Sequence, residues 1–167
     1  LAISIFEKYV DVNALDEKIV TFKSEGITPY MFQYQLTKRA KSKIKHIVLC
    51  EGNDDRILKA AARLNNQETV QLTLLGDEGE IATAVKRLGL NFDLNRIQII
   101  DPVKSEHYND YVHTLFELRK RKNITMEMAR DLMTDVSYFG TMMVYKEHAV
   151  GMVSGAVHTT QHTIRPA

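Results

Sequence analysis

The sequence is short of cysteine and of net charge, and it contains no long apolar run. Cys50 is its only cysteine, so no disulfide can form within the chain, and a free thiol suits a reducing compartment. Because this thiol lies in an apolar run, we expect it to be buried and inert. The formal net charge of +1 is far below the positive charge of a dedicated nucleic-acid binder. No apolar run reaches the length that spans a bilayer, and no signal peptide is evident. We therefore expect a soluble, cytoplasmic protein whose partners are neither nucleic acids nor membranes.

Common signatures of nucleotide and metal chemistry are also missing. Gly76 and Gly79 do not form G-x-G-x-x-G, and the chain has no G-x-x-x-x-G-K-[ST] loop. His158 and His162 stand four residues apart, as two metal ligands on one helix face do. A zinc protease, however, has glutamate after the first histidine, and Thr159 takes that place here. We expect no bound metal, with a site at the two histidines as the lesser alternative.

What the sequence does contain is an alternation of short apolar runs with segments of helical periodicity. At 44% hydrophobic and 26% charged residues, the chain can bury a real core. Strands are predicted at 46–50, 70–75, 97–100 and 150–153, and helices at 29–43, 57–64, 79–89, 105–121, 126–133 and 136–145. Strands that alternate with helices across short polar turns are typical of βαβ units. We predict an α/β fold with three layers, α/β/α, around a mainly parallel sheet.

The first 28 residues look separate from the rest of the chain. Asp11 or Asn13 is the predicted cap of a helix whose apolar face would carry Leu15, Ile19 and Phe22. The chain also begins with leucine rather than methionine. We expect residues 1–28 to be the tail of a preceding domain or a linker helix, and the chain to be a piece of a longer protein.

The stretch from 151 to 167 has the composition of an anion site. Glycines flank Ser154, so that the backbone can approach a ligand closely, and four polar side chains follow within six residues, namely His158, Thr159, Thr160 and Thr163. Pro166 suits the first turn of a helix, where its missing N–H costs nothing. Free N–H groups of the turn, the helix dipole and the guanidinium of Arg165 would together attract an anion such as phosphate.

Two further sets of candidate site residues can each be interpreted in two ways. The run from Glu51 to Arg56 follows the first strand, where α/β sheets place ligands, but it also suits a capping turn with Arg56 at the surface. Arg119 lies at the edge of a buried helical stripe, which includes Leu118. It is either a site residue or a basic helix end that complements the dipole.

As an ordered set, these motifs resemble the phosphate acetyltransferase family. The resemblance covers about residues 29–167. It rests on 153–160 (VSGAVHTT) and 163–166 (TIRP), and upstream on 49–52 (LCEG) with Arg56, Ala60 and Ala61, on 74–76 (LLG), 100–102 (IDP) and 115–125 (LFELRKRKNIT). The family usually has proline where Cys50 stands. Residues 1–28 resemble the tail of the extra domain that precedes the catalytic part in long family members.

The resemblance implies a two-domain α/β enzyme of the isocitrate/isopropylmalate dehydrogenase-like type, of which residues 29–167 would be the N-terminal part of the catalytic domain. Such enzymes move an acetyl group between coenzyme A and inorganic phosphate, with no permanent cofactor and with coenzyme A as a substrate, and members commonly form homo-oligomers. Arg119 and Arg165 match arginines that bind substrate in the interdomain cleft. Residues that would line the same pocket are Ser154, Gly155, His158, Thr159, Thr160, Glu51 and Arg56. The family's general base is an aspartate further downstream, so we expect this chain alone to be inactive or nearly so.

Two interpretations from other classes stay open. The same domain type follows malic enzymes, where it is thought to sense acetyl-CoA without catalysing a reaction. A plain α/β interaction module is the third interpretation, under which the two arginines and the hydroxyl cluster would be coincidental.

Overall fold

The computed structural model describes residues 9–11, 13–14, 17, 26–91 and 96–167. The chain divides into two compact units, Leu1–Leu36 and Thr37–Ala167. In the first unit, Asp11 Oδ1 accepts the backbone N–H groups of Asn13 and Ala14, so of the two predicted caps Asp11 is the one in place. Leu15, Ile19 and Phe22, the predicted apolar face of that helix, lie outside the described residues.

The helices and strands with described bounds alternate along the chain as predicted. In chain order they are α1 (Pro29–Ser42), β1 (His46–Leu49), α2 (Asp55–Gln67), β2 (Gln71–Leu75), α3 (Glu78–Arg87), β3 (Ile97–Ile100), α4 (Tyr108–Arg119), α5 (Met126–Met133), α6 (Val136–Tyr145), β4 (Gly151–Val153) and α7 (Thr160–Ile164). Short 3₁₀ turns occupy Pro102–Lys104 and Lys120–Lys122. Within these bounds, no helix of the described chain is both long and apolar enough to cross a membrane.

The four strands form one parallel sheet in the order β3–β2–β1–β4. Successive residues of a strand point to opposite faces of the sheet, and here helices pack against both faces. Val48 and Cys50 belong to a core cluster with residues of α4, α5 and α6, whereas Leu49 packs in a second cluster with α2 and α3. The prediction of an α/β fold with a parallel sheet is confirmed.

Capping side chains turn the backbone into a helix directly after each of the first three strands. Asp54 accepts the N–H of Arg56 at the start of α2, and Asp77 accepts those of Gly79 and Glu80 at the start of α3. Asp101 caps the 3₁₀ turn after β3 in the same way. Polar loops therefore gather at the carboxyl edge of the sheet, where parallel α/β folds bind ligands.

Two predictions about local structure are wrong. Pro166 does not begin a helix but follows α7. That helix begins after Thr159, because Thr159 has extended backbone angles and its hydroxyl accepts the N–H of His162 as an N-cap. Leu118, which the helical spacing places in the buried stripe of α4, is 50% exposed.

Candidate functional site

The order of the strands points to the crevice between β1 and β4. The chain leaves β1 for β2 and then β3 on one side, and it returns to β4 on the other side of β1. In open α/β sheets, ligands bind beside the carboxyl ends of strands at such a reversal. Here these ends continue into residues 50–54 and 154–159.

One buried carboxylate connects these two loops. Glu51 is 6% exposed, and it accepts four consecutive backbone N–H groups, from Gly155, Ala156, Val157 and His158, at 2.7–3.1 Å. Burial alone would raise the pKa of Glu51, but the four N–H donors outweigh it and hold the pKa below its usual value. The expectation that this turn offers free N–H groups to an anion is therefore wrong, because the chain's own carboxylate occupies them.

Arg56 supports the same loop from the surface. Its guanidinium donates to the carbonyl of Ala156 at 2.5 Å and pairs with Asp54 at 2.9 Å, while 68% of its side chain is exposed. With Asp54 as the cap of α2, this turn fits the capping interpretation, and Glu51 and Arg56 hold the loop that carries Ser154 and His158.

A hydroxyl and imidazole cluster lies behind that loop. Ser137, which is fully buried near the start of α6, has its hydroxyl 3.5 Å from that of Ser154 and 3.3 Å from Nδ1 of His158. The hydroxyl of Thr163 is 3.4 Å from that of Ser154. Gly155, at the bend, has a φ of +110°, a conformation that glycine adopts without strain.

The two histidines are stacked and each faces a carboxylate. His162 Nε2 is 2.8 Å from Asp135 Oδ2, and His158 Nδ1 is 3.2 Å from Glu51 Oε1. Asp135, His158 and His162 could supply three metal-ligand atoms within 4.8 Å of one another. Their rings, however, have centroids 4.4 Å apart and planes only 13° from parallel. Because a ring nitrogen binds metal through a lone pair in its own plane, stacked rings do not aim at one ion, and the geometry favours two carboxylate–histidine pairs.

The two arginines are neighbours across a pair of adjoining cavities. Arg119 Nη2 donates to the carbonyls of Arg165 and Pro166 at 3.0 and 2.6 Å, and its Cζ lies 5.8 Å from the centre of the Tyr138 ring. One cavity of about 310 Å³ is lined by Leu132, Asp135, Tyr138, Thr159, Gln161, His162 and Arg165. The other, of about 270 Å³, is lined by Arg119, Lys122, Ile124, Met128, Leu132, Tyr138 and Arg165.

The structure thus brings Arg119, Arg165 and Thr159 together at these cavities. Glu51 and His158 line a third cavity of about 330 Å³ at the ends of β1 and β2, while Thr160 is exposed at the start of α7. Sequence reasoning missed Asp135, Ser137 and Tyr138. The available signal was the position of Asp135 directly before the predicted helix at 136–145, which is that of an N-cap.

Cys50 gives a direct test of the core beneath this site. Burial, reinforced by the nearby carboxylates of Glu51 and Asp135, raises the pKa of its thiol to about 12. We expect no reaction with a thiol-specific disulfide reagent at pH 8 in the folded chain, and one equivalent of reaction in denaturant. Rapid labelling under native conditions, measured by mass spectrometry, would contradict this packing.

Comparison with known proteins agrees with the resemblance. Residues 31–167 match the family model described as phosphate acetyl/butaryl transferase. The chain is 48% identical over 166 residues to a phosphate acetyltransferase of Synechocystis sp. and 46% identical over 166 residues to one of Nitratidesulfovibrio vulgaris, covering 99% of this chain and 24% and 23% of those proteins. The chain thus spans about a quarter of the length of these curated relatives.

Solved structures give the same result. A phosphotransacetylase from Streptococcus pyogenes superposes with a TM-score of 0.76 at 35% identity, over 83% of this chain and 41% of that one. The EutD phosphotransacetylase from Staphylococcus aureus superposes with a TM-score of 0.70 at 40% identity, over 80% of this chain and 41% of that one. The chain belongs to the phosphate acetyl/butaryl transferase family.

Proposed function

We propose that this chain carries one side of the substrate site of a phosphate acetyltransferase, which moves an acetyl group between coenzyme A and inorganic phosphate. The relatives that bear this name support the assignment. The observation that carries it is the juxtaposition of Arg119 and Arg165 at two adjoining cavities. Since these relatives are acetyltransferases, the sensor domain of a malic enzyme is the weaker interpretation.

The chemistry requires cations where phosphate charge is held. When a thiolate attacks the acetyl carbon of acetyl phosphate, the carbon–oxygen bond to phosphate breaks, the electron pair leaves with the phosphate oxygen, and that oxygen takes up a proton to give the phosphate dianion. Arg119 uses one terminal nitrogen to hold the backbone at Arg165, and its remaining N–H groups have no partner among the described residues. Arg165 likewise has no carboxylate partner in the described chain, so both guanidiniums are available to an anion and to its charge in the transition state.

The other candidate residues have supporting parts in this proposal. The hydroxyls of Ser154, Thr159 and Thr160 would donate hydrogen bonds to substrate, with Gly155 and His158 beside them. Glu51 and Arg56 would act through the loop that they hold rather than by touching the ligand. In the cavity of about 270 Å³, an apolar wall that suits the uncharged part of a substrate is formed by Ile124, Met128 and Leu132.

The wider features implied by the family belong to the same proposal. They are an isocitrate/isopropylmalate dehydrogenase-like fold for the complete catalytic region, a domain that begins near residue 29, a cytoplasmic location, homo-oligomers, and coenzyme A as a substrate without a permanent cofactor. Because the family's base lies downstream, we expect residues 1–167 alone to bind substrate without measurable turnover.

Calorimetry tests the arginine site. The wild-type chain is titrated with acetyl phosphate and with coenzyme A, beside a variant that carries both Arg119→Ala and Arg165→Ala. Because hydrogen bonds to charged groups contribute about 1.5–3 kcal/mol each, we expect the variant to bind at least about tenfold more weakly.

Arg121→Ala is the matched control. Arg121 is an exposed arginine two residues after Arg119, but it lines neither cavity. Its affinity for both ligands should stay within about twofold of the wild type, as expected for a distant surface charge. Equal losses of affinity in the control and the double variant would mean that net charge alone explains the effect. Full binding by the double variant would refute the assignment of the two arginines.

A further inference from the structure

His162 is held in one tautomer by a carboxylate that is itself fixed. Asp135 Oδ1 accepts the N–H groups of Ser137 and Tyr138 at the start of α6, and Asp135 Oδ2 lies 2.8 Å from His162 Nε2. An ionised carboxylate only accepts hydrogen bonds, so Nε2 carries the proton of the neutral ring. The second nitrogen, Nδ1, is then a lone pair, and it has no hydrogen-bond partner among the described residues.

The charges around this ring are nearly balanced when the cavity is empty. Asp135 faces His162 from the start of α6, and Arg165, at the end of α7, lines the same cavity with Tyr138. His158 is stacked on His162 and is itself paired with the carboxylate of Glu51, and Arg119 and Lys122 line the adjoining cavity. One carboxylate and one guanidinium thus line this cavity, so its net charge is close to zero before a dianion binds, although the guanidinium of Arg165 is not paired with the carboxylate.

We propose that the cavity of about 310 Å³ binds a phosphate-type dianion together with one proton, which His162 takes up on Nδ1. Protonation turns the Asp135–His162 pair from a net negative charge into a neutral pair, and it adds an N–H donor to a residue that lines the cavity together with Arg165 and Thr159. The proton comes from solvent, Nε2–H stays with Asp135, and no covalent bond changes. This inference rests on the proposed function, because it takes the acyl phosphate and phosphate of that reaction as the dianions.

Proton-linked calorimetry tests the proposal on the chain itself. Acetyl phosphate is titrated at pH 8 in buffers of different ionisation enthalpy, and sulfate, which carries no proton, is the second probe. The slope of the observed enthalpy against the buffer's ionisation enthalpy gives the number of protons taken up. We expect a slope near one for the wild type and near zero for His162→Asn, with affinity reduced about tenfold.

The asparagine variant is chosen because its side-chain amide stays polar but cannot take up a proton. His113→Asn is the matched control, since His113 is an exposed histidine on α4 away from the cavity, and it should keep the wild-type slope. Nitrogen NMR of the His162 ring gives an independent readout, with protonation of both nitrogens only in the bound state.

The outcomes separate the two proposals. Binding of acetyl phosphate with a slope near zero, or the same slope in His162→Asn, would overturn the role of His162 and leave the arginine site standing. No binding of either probe by the folded wild type would overturn both the proton-linked cavity and the half-site on this chain. Uptake of a proton that disappears only in His162→Asn supports the inference.

Discussion

Glu51→Gln is expected to lower the free energy of unfolding by about 3 kcal/mol, a large effect for an isosteric change. Glutamine keeps one carbonyl oxygen for two of the four loop N–H groups, but its NH₂ group faces the other two, donor against donor. Breaking charge-assisted bonds at a buried position costs more than removing an exposed charge. Urea unfolding followed by circular dichroism measures the loss.

The pH dependence of stability identifies the carboxylate as the cause. Because the folded chain lowers the pKa of Glu51 below its usual 4.5, its contribution is complete above that pH. It is lost as the pH falls through the lower folded-state value, where protonation removes the acceptor. The difference between wild type and Glu51→Gln should therefore shrink in acid. A difference that is constant from pH 7 to pH 3 would show that charge is not the reason.

Glu117→Gln is the matched control for this prediction. Glu117 pairs with Lys120 at the surface, with 57% of its side chain exposed, so the same change should cost less than about 0.5 kcal/mol. An equal loss in both variants would contradict the special role of the buried carboxylate.

The parts of the fold that local patterns govern could be predicted from the sequence. The apolar runs at β1, β2 and β3, and the aspartates after them, specify strands and helix starts through contacts within a few residues. At α7 two local signals compete, namely a threonine cap at Thr159 and a first-turn proline at Pro166. The prediction followed the proline, whereas the hydroxyl of Thr159 decides where the helix begins.

The site could be predicted only in part, because its central contacts join residues about a hundred positions apart. Glu51 meets Gly155–His158 because β1 and β4 are neighbours in the sheet, and no spacing in the sequence reports that pairing. The same composition that suggested an open anion-binding turn therefore also fits a turn already filled by a carboxylate. Likewise, the link between Asp135 and His162 depends on how α6 and α7 meet.

Gly52→Ala should destabilise the chain by about 3 kcal/mol or more, because the new methyl group has no space. A Cβ on Gly52 would lie 2.5 Å from the carbonyl oxygen of Leu75 and 3.0 Å from Cδ1 of Ile81. The first neighbour is backbone in β2, bonded to the N–H of Gly52 itself, and it cannot move without disturbing the sheet. On the other side of β1, the new Cβ of Gly151→Ala meets, among the described residues, only Ile47 Cδ1 at 3.6 Å, an ordinary contact, and should cost less than about 1 kcal/mol.

Combining the substitutions at Glu51 and Gly52 tests whether one loop carries both effects. Any shift of Gly52 moves the adjacent Glu51 away from Gly155–His158, so the alanine variant already loses part of what the glutamine variant removes. The double variant Glu51→Gln, Gly52→Ala should therefore be more stable than the sum of the single losses predicts, by about 1 kcal/mol or more. Strict additivity in urea unfolding would mean that the methyl group strains only β2. A near-neutral Gly52→Ala would refute the close approach of β2 to this turn, and with it the geometry that fixes the Glu51 carboxylate.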